Sequence, residues 1–406
     1  MKVRALTGFI DPGWPLNPEA IKSVAACLQR CQEALQEVGI EVQTLRLATP
    51  PPSEMKEPVP PAARADLAQK LEAECFAHSV DYATIGPALP DEPEGYDVIP
   101  EIMAATEIVF TSGIFADPMD GISLAAARAC AQAIHESSTI SPDGFANLRF
   151  AALANVPPGA PFFPAAFHDG GSPAIAVATE AADIVVDVIQ NAPTLDTARR
   201  RLVVSIEDHA STLSQITQRV ASKHDLRFLG IDFSLAPFPE ERRSIGTAME
   251  AFGIPAAGLS GTVAAATFIT DCLDRAEFQR TGFCGLFLPV LEDSVLAARA
   301  AEGILTITHL LLYATLCGTG LDIIPLPGDI SPGAMASLLV DLGALALRHN
   351  KPLTARLMPI PGKDVGDEIH YDFAYFTDSR VMDLPSESLE GLLGGSETLD
   401  IRPRLP

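Results

Sequence analysis

The stretch that most constrains this fold is Phe283–Ser331, FCGLFLPVLEDSVLAARAAEGILTITHLLLYATLCGTGLDIIPLPGDIS. Phe283–Val290 is an apolar run too short for a helix, and it suits a strand buried on both faces. Glu292, Asp293 and Ser294 follow at once, and a long apolar helical pattern starts there. Leu321–Pro327 repeats the plan, followed by Gly328-Asp329-Ile330-Ser331 and a helix opened by Pro332. Ser331 before proline predicts an N-cap. Strand, polar turn and helix make the half-unit of an α/β fold, whose ligands gather at the carboxyl ends of the strands. Ile304–Leu316 has thirteen residues between Gly303 and Gly318. That is well short of the roughly 20 needed to span a bilayer, so it reads as a core helix.

The rest of the chain alternates in the same way. Strands are predicted at Lys2–Phe9, Glu41–Leu47, Tyr82–Gly86, Glu107–Thr111, Phe150–Ala154, Ala174–Ala178, Phe228–Ala236 and Ala355–Pro359. Helices are predicted at Pro18–Val38, Ala62–Ser79, Gly121–Ala133, Ala181–Ile189, Ser205–Ser222 and Ala334–His349. No Pro/Gly/Ser linker divides the chain, so residues 1–406 read as a single domain with a loosely packed tail from 385. One loop, NVPPGAPFFPAAFHDGGSP, is too long and too apolar to be a mere connector, and loops of this kind are often functional.

Apolar residues make up 48% and charged residues 20% of the chain, which permits a large core. The formal net charge of −24 argues against nucleic acid and membrane surfaces as partners. Seven cysteines without a CxxC pair suggest reduced thiols and a cytoplasmic setting. The N-terminal MKVRALTGFIDPGWP lacks the apolar core of a signal peptide. No P-loop, Rossmann fingerprint, HExxH, GxSxG or zinc spacing occurs.

Several segments, in order, carry a family resemblance. They include Gly121-Ile122, Ala154-Asn155, Pro161-Phe162, Ala166-Phe167-His168, Gly230-Ile231-Asp232 with Ser234, and Gly261-Thr262. Pro289-Val290 with Glu292-Asp293, Cys317, Gly320-Leu321-Asp322, Pro327-Gly328-Asp329, Arg356 and Gly362-Lys363 complete the set. Together they resemble the uncharacterised domain-of-unknown-function family 711, placed as a structural relative of pyruvate formate-lyase. The resemblance implies a closed ten-stranded α/β barrel, two parallel half-barrels with helices outside and a site in the middle. It implies no activity. Glycyl-radical enzymes carry a C-terminal Arg-Val-x-Gly motif, whereas Arg380-Val381 is followed here by Met382-Asp383 and no two cysteines are adjacent. Radical chemistry is therefore not expected.

The candidate residues fall into three groups. His168, on a glycine-flanked loop, suits acid or base work; fixing the loop through backbone hydrogen bonds is the competing reading. Asp232, inside an apolar strand, needs a partner if buried. Cys317 closes an apolar helix, and the negative end of a helix opposes thiolate formation, so a packing role competes with a catalytic one. Arg356 interrupts the apolar strand LTARLMPI and must pair with an acid or hold an anion, with Ser234 and Asn155 beside it as substrate-binding candidates. Glu292, Asp293 and Asp329 follow strands and would suit Mg²⁺, Ca²⁺ or Mn²⁺, although helix capping is the leading reading for each of them taken singly.

These features lead us to expect a cytosolic enzyme acting on a small anionic or carbonyl metabolite by acid/base chemistry, possible metal assistance included. The alternative is a non-catalytic ligand-binding protein that retains the barrel. A homodimer is the expected assembly.

Overall fold

The computed structural model describes residues 1–404. It is a mixed α/β fold built on one large, mostly parallel sheet. The nine principal strands are β1 (Lys2–Phe9), β2 (Leu45–Ala48), β3 (Tyr82–Ala88), β4 (Val109–Asp117), β5 (Phe150–Ala154), β6 (Ala174–Glu180), β7 (Arg227–Asp232), β8 (Gly320–Pro327) and β9 (Leu353–Ile360). Their spatial order is β7-β6-β1-β2-β3-β4-β5-β9-β8. The run β1 to β5 is wholly parallel. β6 joins β1 antiparallel with β7 parallel outside it, and β9 joins β5 antiparallel with β8 parallel outside it. The parallel run β1 to β5 is thus flanked at each edge by a parallel pair that runs the opposite way.

The strands form where the sequence offers short apolar runs, and they are buried along nearly their whole length. Helices cover one face. The helix Pro332–His349 starts as its sequence predicts, with Ser331 Oγ accepting from Ala334 N at 3.1 Å. Asn350, in the left-handed region at φ 49°, ends it. The helix at Leu195–Lys223 is longer than periodicity suggested, because Thr194 caps it and it starts ten residues ahead of the predicted Ser205.

The other face of the sheet is filled by the chain itself. Register pairs Thr7 with Arg46 and Arg46 with Tyr82, and Phe9 with Ala48 and Ala48 with Thr84, so these side chains share that face. The loop after β5 lies against it. Phe163 packs with Phe9, Ala48, Phe110, Ala174 and Ala176, whereas Phe162 packs with Leu153, Phe283 and Phe287. The small residues Ala48, Ala151, Ala174 and Ala176 make room for this loop. Thr7 Oγ1 donates to Pro161 O at 3.2 Å and His168 N to Thr49 O at 3.1 Å, which ties the loop to β1 and to the end of β2.

Two expectations for Phe283–Ser331 need correction. Phe283–Val290 is not a regular strand: Cys284 has φ 44°, and its backbone pairing toward β7 is limited to an isolated bridge, Leu235 to Leu286. On the other side Gly318 N donates to Leu286 O at 2.7 Å and Val290 N to Asp322 O at 3.1 Å. The regular ladder therefore has nine principal strands where ten were expected, and this irregular segment hydrogen-bonds toward both β7 and β8. The long helix is two helices, Ser294–Ala301 and Ile307–Tyr313. Gly303 at φ 73° ends the first, and a capping box between Thr306 and His309 starts the second. The tail also has contacts: Thr398–Leu399 pairs with Ile122–Ser123, and Ser386 Oγ donates to Ala334 O at 3.0 Å.

Candidate functional site

The inward face of the sheet encloses a cavity of about 90 Å³. Its polar side comprises Arg4, Arg46, Tyr82, Glu292, Asp322 and Arg356, and its apolar side includes Phe110, Phe162, Phe163 and Phe287. Phe373 and Tyr375 cover it from the segment after β9.

Local backbone irregularity brings the charges inward. Arg4 lies at a register break between Val3 and Ala5 in the pairing of β1 with β6. Arg356 lies at another, between Ala355 and Leu357 against β8. Such breaks redirect a side chain away from strict alternation. Opposite Arg356, Ile323 adopts φ 52°, a strained position for a β-branched residue. Residues held in this way gather at functional sites.

The charges form a chain. Arg356 Nε donates to Asp322 Oδ1 at 2.5 Å, and Arg356 Nη2 lies 3.5 Å from Glu292 Oε1. Arg4 bridges Glu292 Oε2 at 2.6 Å and Glu180 Oε2 at 2.9 Å. Arg243 also binds Glu180, and Gln43 Nε2 donates to it at 2.9 Å. Burial opposes the charge on Arg356, yet Asp322 and Glu292 hold its pKa above the ordinary arginine value. Asp322 is 1% exposed, Arg356 5% and Glu292 7%.

Arg46 differs from the other arginines. Among the described residues it has no carboxylate within ion-pair distance. Its Nε donates to Thr44 Oγ1 at 2.9 Å, and its guanidinium lies 5.1 Å from the Phe163 ring centre and 5.7 Å from that of Tyr82. Burial, then the charge of Arg4, pulls its pKa down to about 10, so it stays protonated at neutral pH. Burial raises the Tyr82 phenol, which keeps a proton to donate. A cation in an aromatic surround with no acid partner is chemically suited to pair with an anion.

The sequence-predicted residues divide between this cavity and other places. Arg356, Glu292 and Ser234 line it. Asp232 lies apart and ties β7 to the irregular segment. Its Oδ1 accepts from Ser234 Oγ at 2.7 Å and Cys284 N at 2.8 Å, and its Oδ2 accepts from Phe283 N at 3.0 Å. Burial raises its carboxyl to about 6 against those three hydrogen bonds. With the folded value above the ordinary 3.8, this group stabilises the folded state most below pH 3.8 and loses that contribution as pH rises through 6. The interval is worth about 3 kcal/mol. Asp232→Asn should therefore destabilise more at pH 4 than at pH 7 by about that amount, measured by urea unfolding; a pH-independent difference would contradict it.

His168 is outside the cavity and 1% exposed. Its Nδ1 accepts from Gly170 N at 3.1 Å, so Nε2 carries the proton and donates to Ser172 O at 3.4 Å. Burial lowers its pKa. Both ring nitrogens are engaged by the backbone of its own loop. Cys317 lines a separate cavity of about 470 Å³ with Cys284 and Lys351. Burial raises both thiols, Cys284 to about 12, so neither is a thiolate at neutral pH. Asn155 also stands away, with Nδ2 3.4 Å from Asn350 Oδ1.

The three expected metal ligands do not converge. Glu292 faces the cavity, Asp329 is exposed, and Asp293 is buried as a helix cap. Among the described residues no group of three or more His, Cys, Asp or Glu side chains is arranged to hold a metal ion. No helix among them is long and apolar enough to cross a membrane.

Arg4, Arg46 and Tyr82 escaped sequence reasoning. A signal was present: Arg4 and Arg46 interrupt the apolar strands KVRALTGF and LRLA as Arg356 interrupts LTARLMPI.

Known proteins match along most of the chain. The family described as Uncharacterised ACR (DUF711) matches residues 1–375. A UPF0210 protein of Pyrobaculum islandicum is 31% identical over 396 residues, covering 90% of this chain and 87% of its own. One from Pyrobaculum aerophilum is 33% identical, covering 91% and 82%, and one from Methanopyrus kandleri is 29% identical, covering 96% and 86%. With its fold and cavity described and this match spanning both, the chain belongs to the DUF711 family.

Proposed function

We propose that the protein takes up a small anionic metabolite in the central cavity, with Arg46 as the receptor for its negative group. The observation that carries this reading is the unpaired guanidinium of Arg46 beside a chain of otherwise paired charges. The size of about 90 Å³ supports a metabolite of a few heavy atoms, since drug-sized ligands occupy roughly 300–1,000 Å³. In this reading Tyr82 donates a hydrogen bond to the bound group while Arg46 neutralises its charge, and the activity is acid/base chemistry without a radical. Arg356 orders Asp322 and Glu292 and does not itself hold the anion. We further infer that the sheet closes into a barrel of the pyruvate formate-lyase type. Contact of one inserted loop with β1, β2, β4, β5 and β6, and the hydrogen bonds from Phe283–Val290 to both flanks, support that closure.

The test is calorimetric titration with acetate, glycolate, malonate and sulfate, in wild type and Arg46→Gln. At least one anion should bind wild type, and the variant should lose about thirtyfold or more, as for a buried charge pair worth about 2 kcal/mol or above. Equal binding in both proteins would remove Arg46 from the site. Turnover of a bound anion would separate the enzyme from a binding-only protein.

A further inference from the structure

Resting on the anion-binding reading, we propose that the cavity selects monoanions, specifically short monocarboxylates, over dianions. The argument is charge balance. Four guanidiniums, Arg4, Arg46, Arg243 and Arg356, meet three carboxylates, Glu180, Glu292 and Asp322. One positive charge is left over, and it is on Arg46. Glu240 lies 3.7 Å from Arg243 but is exposed, where water screens it. Asp232 lies apart, its carboxylate satisfied by two backbone N–H groups and a hydroxyl. A monoanion brings the interior to neutrality. A second negative charge would sit beside Glu292 or Asp322, which are nearly without solvent exposure, or against phenylalanine rings. Like charges and desolvated charges in such surroundings are disfavoured. The rings of Phe162 and Phe163 offer the remainder of the ligand an apolar surface, which suits a carboxylate with a short carbon skeleton and not an inorganic or phosphorylated anion.

The charge balance can be changed with little change in shape. Glu292→Gln leaves two positive charges uncompensated, and Asp322→Asn makes the same change at the neighbouring acid. Acetate and glycolate should bind wild type about tenfold or more tighter than malonate or sulfate at neutral pH, and either variant should reverse that order. Two variants are used because one of them can fail to fold, and the wild-type order stands by itself as a test. If wild type prefers malonate or sulfate, or if a folded variant keeps the wild-type order, selection by charge balance is overturned while Arg46 remains an anion receptor. If no anion of either charge binds wild type, the anion-binding reading falls and this inference with it.

Discussion

Asp293→Ala should lower the stability of the protein by about 4–5 kcal/mol, a range reached when a buried polar network is broken. The reason lies in what one carboxylate holds together. Asp293 Oδ1 accepts from Val295 N and Leu296 N at 3.0 Å each, capping the helix Ser294–Ala301. The same oxygen accepts from Ser244 Oγ at 2.6 Å, and Oδ2 accepts from Ile245 N at 2.6 Å and Gly246 N at 3.2 Å. Those last two donors open a second helix, Ile245–Glu250, so one side chain serves two helix starts. Asp293 has no exposed surface, and water cannot replace it without repacking. An ordinary cap is worth about 1 kcal/mol, and each buried N–H left unsatisfied costs about 1–3 kcal/mol. Asp293→Asn keeps one acceptor oxygen and should fall between the two. The check is the urea midpoint of purified protein. A loss below about 1 kcal/mol for the alanine variant would contradict this account.

Arg356→Met should cost about 3–5 kcal/mol, because it leaves a buried carboxylate without its partner. Asp322 is the residue exposed to that loss: it is 1% exposed, and Arg356 is its ion-pair partner among the described residues. Glu292 would keep Arg4. The informative variant is the double one. Arg356→Met with Asp322→Leu removes both charges and should recover much of the stability lost in the single change, since well-packed apolar replacements of buried ion pairs are often neutral. A double-mutant cycle measures the coupling directly. If the double variant were as unstable as the sum of the single ones, the pair would not be acting as a pair.

Asp293 and Arg356 also show how far the sequence could be read. Both were visible as candidates, and each carried two alternatives, a site or a structural role. Position along the chain could not choose between them. A carboxylate before a helix has the same sequence context whether it caps one helix, two, or holds a metal. The second helix that Asp293 caps begins at Ile245, far away in the chain. His168 carried a similar ambiguity. Its glycine-rich surroundings suit a mobile catalytic loop, but the same glycines let backbone N–H and carbonyl groups turn onto the ring. Arg46 was missed because LRLA is a short strand whose neighbours on β1 and β3 only the sheet register reveals.

The sequence by itself determined the alternation of strands and helices, the positions of strands such as Gly320–Pro327, the Ser331 cap and the family. These depend on local preferences: apolar periodicity, turn chemistry and capping act over a few residues. The tertiary structure alone decided which strands are neighbours, which charges share a cavity and which arginine is left without an acid. Register breaks at Arg4 and Arg356 turn their side chains inward, and a loop from the middle of the chain supplies the aromatic wall. Charge pairing and burial depend on distances through space, and the partners here are up to 288 residues apart in sequence, as Arg4 and Glu292 are.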